Sequence, residues 1–309
     1  MNLIKHLLKS KASISSDALN TLNRNLYNHV EFLSTKIGER NSYKFSALDR
    51  AYCYIIKTMQ QSSFEIKDLS YSYKSVTFHN IVAEKIGTHY PDEIIIIGAH
   101  YDTVYNSPGA DDNASGIAAL LELIRLLDNY KSKRTIRFVA FTLEEPPFFG
   151  TPQMGSYVYA QKCKEQQENI ITMVSLEMLA YFTDKKNSQK YPHPDMAAQY
   201  SNKGNFITIV GNENSKLIAE KVTAGLKSFC AVPALCLIAN PAVPGVDLSD
   251  HAPFWNAGYR AIMITDTAFY RNHHYHEPSD TIDTLNFEYF SEVVSGLFQS
   301  FKQLDMEGV

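Results

Sequence analysis

The sequence predicts an α/β fold: a single domain with a mostly parallel central β-sheet and helices on both faces. Three observations carry this expectation. Apolar runs, rich in β-branched residues and too short to span a membrane, occur at 94–97 (I-I-I-I), 136–143 (I-R-F-V-A-F-T-L) and 170–179 (I-I-T-M-V-S-L-E-M-L). Such runs belong to strands buried on both faces, as in parallel sheets. Segments with helical apolar spacing lie between them, and the alternation continues over most of the 309 residues.

Taken in order, residues 16–61 place Leu19, Leu22, Leu26, Val30, Leu33 and Ile37, then Ala51, Tyr54, Ile55 and Met59, at spacings of three and four, with a break at 38–42. Residues 1–65 are thus expected as N-terminal helices packing on the sheet. Residues 71–84 alternate as one strand, and 93–98 is a buried one. A helix over 115–127, capped by Asn113 or Ser115, leads to the strand at 136–143, which implies a right-handed parallel crossover. A helix at 153–164 precedes the strand at 170–179.

The polar segment 182–205, with Pro192, Pro194 and Gly204, reads as an insertion or lid within one domain covering 1–309. Strands at 206–210, 235–238 and 261–265 then alternate with helices at 215–229, 250–256 and 286–304.

Composition bounds the partners. Hydrophobic residues make up 45% and charged residues 20%, an ordinary globular balance. A net charge of -4 without a basic block argues against nucleic acid. The opening M-N-L-I-K-H-L-L-K-S-K is interrupted by Lys5, His6 and Lys9, so no signal-peptide core forms, and no run reaches membrane-spanning length. The expected location is the cytoplasm, with no membrane partner. There Cys53, Cys163, Cys230 and Cys236 are expected as thiols; Cys230 and Cys236 are close enough in sequence to raise the question of a local disulfide.

Ligands of open α/β sheets bind beyond the carboxyl ends of the strands, and acids and imidazoles collect there in this chain. They are His100 and Asp102, Asp111 and Asp112, Glu144 and Glu145, Glu177, and the loop holding His273, His274 and His276. Individually each has an ordinary explanation. Asp111 and Asp112 suit a helix start, Asp102 a turn, and the histidines a polar surface. Glu177 resists it, because a carboxylate within V-S-L-E-M-L is buried and needs a cationic partner. Together, imidazoles and carboxylates at several strand ends form a donor set suited to zinc, and manganese or cobalt fits the same nitrogen and oxygen atoms.

The motifs H-Y-D-T-V, P-G-A-D-D-N-A-S-G, E-E, S-D-H-A-P-F and Y-H-E-P-S-D-T, in this order, resemble the co-catalytic zinc aminopeptidases, a group related to bacterial leucyl aminopeptidases and glutaminyl cyclases. The likeness runs from about Ile37 to the C-terminus. It implies a zinc-exopeptidase fold and two zinc ions per chain, with Asp112 bridging them, His100 and Glu177 completing one site, and Glu145 and His276 the other. Glu144 would be the general base acting on a metal-bridging water, Asp102 would orient His100, and Tyr275 would donate to the oxyanion. The implied activity is removal of N-terminal residues from peptides or small aminoacyl substrates. Two alternatives stay open: a glutaminyl cyclase with a single zinc, and a non-catalytic binding module of the same fold.

This chain departs from the family pattern at Glu177, where aspartate is commoner, and at P-P-F-F-G-T-P-Q-M-G after the glutamate pair. Phe148, Phe149, Tyr181 and Tyr270 are candidate pocket aromatics. His251 is expected to support the site or cap a helix rather than ligate metal, and Asp280 and Thr281 read as turn and cap residues.

Overall fold

Strand β3 (Tyr90–His100) holds the four isoleucines, and its alternation divides them between two cores. Ile95, Ile97 and Ala99 face one cluster, whereas Ile94 and Ile96 face another. Both faces are therefore covered, as an uninterrupted apolar run requires. Gly98 sits where a Cβ would come within 2.3 Å of the Phe141 ring, so the absence of a side chain lets that aromatic pack against the strand.

The computed structural model describes residues 14–308. The opening segment read above for a signal core, with Lys5, His6 and Lys9, lies outside the described residues. Helix α1 (Ser16–Val30) runs on through a wider turn at Glu31–Ile37 and is followed by α2 (Phe45–Met59). Next come β1 (Glu65–Tyr73), β2 (Val76–Lys85), β3, α3 (Gly116–Leu127), β4 (Arg134–Phe141), α4 (Gly155–Glu165) and β5 (Ile170–Glu177). The remainder is α5 (Pro194–Gln199), β6 (Ile207–Gly211), α6 (Lys216–Phe229), β7 (Ala234–Ile238), α7 (His251–Ala257), β8 (Ala261–Thr265) and α8 (Phe287–Glu307). Leu22 and Leu26 of α1, Leu120 of α3, Leu226 of α6 and Leu297 of α8 pack on one face of the sheet, and Tyr159 of α4 and Phe254 of α7 on the other.

The eight strands form one mixed sheet in the order β1-β2-β4-β3-β5-β8-β6-β7. Its centre, β4-β3-β5-β8, is parallel, so the carboxyl ends of these four strands open on one edge. The flanks differ from a uniformly parallel sheet: β1–β2, β2–β4 and β6–β8 pair antiparallel. The single strand expected over 71–84 is in fact a hairpin. Its turn at Lys74 and Ser75 has φ of 47° and 66°, left-handed geometry that usually draws Gly or Asn, so the sequence carried no turn signal.

Segment 182–205 contains the short α5 and otherwise irregular chain. No disulfide joins Cys230 and Cys236. No described helix is long and apolar enough to cross a membrane.

Ile96 is fully buried at the sheet centre. Ile96→Ala should lower unfolding free energy by about 2–5 kcal/mol through lost burial and a residual cavity. Denaturant titration checks this, and a cost under about 1 kcal/mol would mean the strand is not at the centre of a packed sheet.

Candidate metal centre

The four parallel strand ends deliver the acids and imidazoles to one place. His100 and Glu177 are the last residues of β3 and β5. Glu144 and Glu145 follow β4, Asp112 lies in the turn entering α3, and His276 comes from the loop after β8. Ligand atoms of His100, Asp112 and Glu177 lie within 4.8 Å of one another, as do those of Asp112, Glu145 and His276. The two triads share Asp112. Its Oδ1 is 3.3 Å from His100 Nε2 and its Oδ2 is 3.3 Å from His276 Nε2, so each oxygen faces a different imidazole. His100 Nε2 is 3.4 Å from Glu177 Oε2, and His276 Nε2 is 3.3 Å from Glu145 Oε2.

Two imidazoles and three carboxylates match the donor chemistry of zinc. Glu145 Oε1 is buried without a hydrogen-bond partner, an orphaned acceptor that a cation would satisfy. The residues present therefore fit the metal.

Backbone contacts hold these side chains in place. The Asp102 carboxylate accepts from the N–H groups of Glu144 and Glu145, both at 3.1 Å. It faces His100 Nδ1 at 3.6 Å, longer than a hydrogen bond, so its bonds in this structure go to the glutamate pair. Ser249 Oγ donates to Glu177 Oε2 at 2.7 Å and lies 2.9 Å from Ser175 Oγ, which anchors the longer acid found where aspartate is commoner. Asp111 turns away from the triads and accepts from Ala180 N and Asn272 Nδ2. Asn113 Oδ1 accepts from Gly116 N at the start of α3, the capping role expected of it. His251 is not part of either triad. Its Nε2–H donates to Val246 O at 2.8 Å, its ring meets Trp255 edge-on, and burial pushes its pKa down to about 4.

Sequence pattern assigns no role to Ser249 or Arg40, and leaves Asp280 only that of a turn or cap residue. Ser249 immediately precedes the Asp250-His251 pair already singled out. Asp280 accepts from Asp111 N and Asp112 N, which sets it apart from a turn or cap residue. Arg40 is fully buried and donates to the carbonyls of Tyr101, Pro108 and Gly109.

Burial raises the Glu144 carboxyl well above its ordinary range, and Glu145 and Glu177 add to the rise. Burial and Asp112 push Glu145 up to about 7, and burial raises Glu177. Asp112 moves the other way because His100 and His276 outweigh its burial. Burial disfavours the imidazolium of His276, yet Asp112 and Glu145 hold it up to about 10. His100 is likewise raised, against its burial, by Glu144 and Glu177. Burial and the nearby acids push the Tyr275 phenol far up, so it stays a donor.

A cleft of about 400 Å³, counted to its open mouth, is lined by Asp112, Glu144, Glu145, Glu177, His276, Phe149, Leu248 and Tyr275. Glu177, Leu248 and Tyr275 also wall a larger pocket of about 860 Å³. Its lining is largely apolar, with Val210, Leu235, Leu237, Met263, Phe269 and Tyr270, and segment 182–205 contributes Tyr191, Pro192, Met196 and Tyr200. Phe148 packs instead against Tyr73 and Phe78, and Tyr181 against His273 and His274.

A parallel-centred sheet with this donor set at its strand ends defines a metal-binding α/β protein. Peptidase family M28 matches residues 80–299, and the chain belongs to that family. YfbL of Escherichia coli (strain K12) is 37% identical over 276 residues, covering 87% of this chain and 84% of YfbL. Aminopeptidase YwaD of Bacillus subtilis (strain 168) is 27% identical over 75% of this chain, which spans 47% of YwaD. Among solved structures, the zinc aminopeptidase BSAP from Bacillus subtilis superposes with a TM-score of 0.72 at 16% identity, covering 91% of this chain and 94% of that one. A glutaminyl cyclase from Bacteroides thetaiotaomicron gives 0.63 at 17% identity, covering 90% and 96%. At such identities these two likenesses are of fold.

The titrating groups set a pH trend. Glu145 at about 7 and Asp250, held near 7 by burial, cost stability once pH rises above the unfolded value of about 4. Asp280, raised to about 8 by burial and Asp111, acts in the same sense. The raised His276 contributes stability at low pH that is lost as pH passes about 10. Buried His251, lowered to about 4, opposes them only up to about pH 6.5, and the acids and His276 outnumber it, so metal-free protein should lose thermal stability from about pH 5 to pH 9. Zinc, which favours charged carboxylates and neutral imidazoles, should flatten that slope. Melting curves with and without chelator decide, and identical slopes would contradict the account.

Proposed function

We propose that the chain is a zinc-dependent aminopeptidase in which Asp112, His100 and Glu177 would hold one zinc ion, and Asp112, Glu145 and His276 a second. The observation that carries this reading is the pair of Asp112 oxygens, each 3.3 Å from a different imidazole. When bound, zinc lowers the pKa of a coordinated water from 15.7 to about 7 and polarises a carbonyl.

The remaining steps fall to the chain's own groups. Glu144 faces the cleft and takes the proton of the attacking water as its oxygen bonds to the peptide carbonyl carbon. It passes that proton to the amine nitrogen as the C–N bond breaks, and a carboxyl that burial raises above its ordinary range is the stronger base for the first half of the transfer. Tyr275, protonated and lining the cleft, donates to the oxyanion. Asp102 acts by fixing the backbone of the glutamate pair.

Membership of a peptidase family implies peptide substrates. The first side chain of the substrate would enter the apolar pocket, with segment 182–205 as an insertion walling it within one domain spanning 1–309. The names of YwaD and BSAP support the aminopeptidase reading. Cyclisation of N-terminal glutamine around a single zinc would leave one of the two triads that share Asp112 without an ion, and is the weaker reading for that reason.

Glu144→Gln should cut turnover of aminoacyl anilides by about 10²–10⁴-fold while bound zinc stays at the wild-type level. N-terminally blocked substrates should be spared by the wild-type protein. Full activity of Glu144→Gln would refute the role given to that residue, and cyclised glutamine without hydrolysis would select the cyclase.

A further inference from the structure

We propose that Asp280 is a positioning residue that holds the Asp112 turn in its metal-binding shape before any ion arrives, and ties it to the loop bearing His276. The proposal rests on the two-zinc reading above.

Three consecutive backbone donors end on this one residue. Asp280 Oδ1 accepts from Asp111 N at 2.9 Å, Oδ2 accepts from Asp112 N at 3.1 Å, and its own carbonyl accepts from Ala110 N at 3.2 Å. These bonds span 168–170 residues of sequence, and Asp280 is fully buried. Successive N–H groups pointing one way form a concavity for an oxygen acceptor, and here the acceptor is a carboxyl group built into the chain. The opposite side of the same turn is held by Arg40, whose guanidinium takes the carbonyls of Pro108 and Gly109. Gly109, at φ of 58°, supplies the left-handed step between them, and a Cβ there would lie 2.2 Å from Asp112 O.

The second half of the tie is local. Asp280 N donates to Glu277 O at 3.0 Å, closing a turn that starts at the residue after His276, and Glu277 N donates to His274 O at 2.9 Å, closing a turn that contains His276. His276 itself has φ of 62°, a conformation a non-glycine residue keeps only when its surroundings enforce it. The loop that carries one imidazole is thereby joined, through a single carboxylate, to the peptide of the acid facing that imidazole. Neither a cap nor an ordinary turn residue would reach across the molecule in this way.

The test compares wild type, Asp280→Asn and Asp280→Glu as full-length proteins, by zinc affinity in competition with a chelator and by the rise in melting temperature that zinc produces. Asn removes one carboxyl oxygen and the ionisable group; Glu keeps the ionisable group but displaces both acceptors by a methylene. The proposal expects both variants to bind zinc about 10–100-fold more weakly and to show a smaller zinc-induced rise. Retention of wild-type affinity by Asp280→Glu would assign the effect to the ionisable group and overturn the clamp. An equal fall in melting temperature with and without zinc, at unchanged affinity, would reduce Asp280 to a structural role and also overturn it.

Should either variant fail to fold, hydrogen exchange on metal-free wild type decides. Slow exchange at the amides of residues 110–112 supports the clamp, and rapid exchange overturns it. Absence of zinc binding by wild type would remove the two-zinc reading and this proposal together, whereas wild-type binding matched by both variants removes the clamp alone.

Discussion

Mutual repulsion among carboxylates held away from water constrains this structure more than any other single interaction. Asp102, Asp111, Asp112, Glu144, Glu145, Glu177, Asp250, Asp266 and Asp280 are all buried around one edge of the sheet. Two like charges 4 Å apart repel by roughly 4 kcal/mol at an effective dielectric of about 20, and several such pairs would rival the whole stability of a domain. The described residues offset this in three ways: imidazoles set between the acids, buried Arg40 and Arg271, and acids whose raised pKa leaves them partly neutral. On the two-zinc proposal, a doubly charged ion at each triad would be the fourth.

The scaffold makes such crowding tolerable by giving four of the acids outside the triads, Asp102, Asp111, Asp266 and Asp280, a backbone to bind. Asp102 takes the two N–H groups of the glutamate pair, Asp280 those of the aspartate pair, and Asp266 those of Tyr181 and Ala268. Each of these carboxylates fixes a loop that carries or adjoins a member of the site. Irregular backbone at the end of a parallel sheet has donors to satisfy, and acids near a metal need donors, so one set of bonds serves both. The site's geometry is thus shared: strands β3 and β5 present His100 and Glu177 directly, and loops at the same edge supply Asp112, Glu145 and His276.

What was legible in the sequence follows from range. The isoleucine run, the helix entering at Gly116 and the grouping of His100, Asp112, Glu145, Glu177 and His276 could be read from local pattern and family likeness, and the structure brings those five side chains together. The hairpin at Lys74 and Ser75 was missed because left-handed turn residues other than Gly and Asn leave no local mark. The antiparallel flanks of the sheet were missed because short apolar strands look alike in either direction. Asp280, Arg40 and Ser249 bond to residues 60 or more positions away, and no spacing rule anticipates such a contact. Asp102 was placed near His100 correctly by alternation along the chain, but its bonds run to a different strand end.

The central claim is that two ions share Asp112, and elemental analysis of the purified full-length protein tests it most directly. The account predicts two zinc ions per chain, falling to one or none in Asp112→Ala with the fold retained. One ion in the wild-type protein, unaffected by removal of His100 or Glu177, would contradict it, and so would a wild-type protein that takes up no zinc at all.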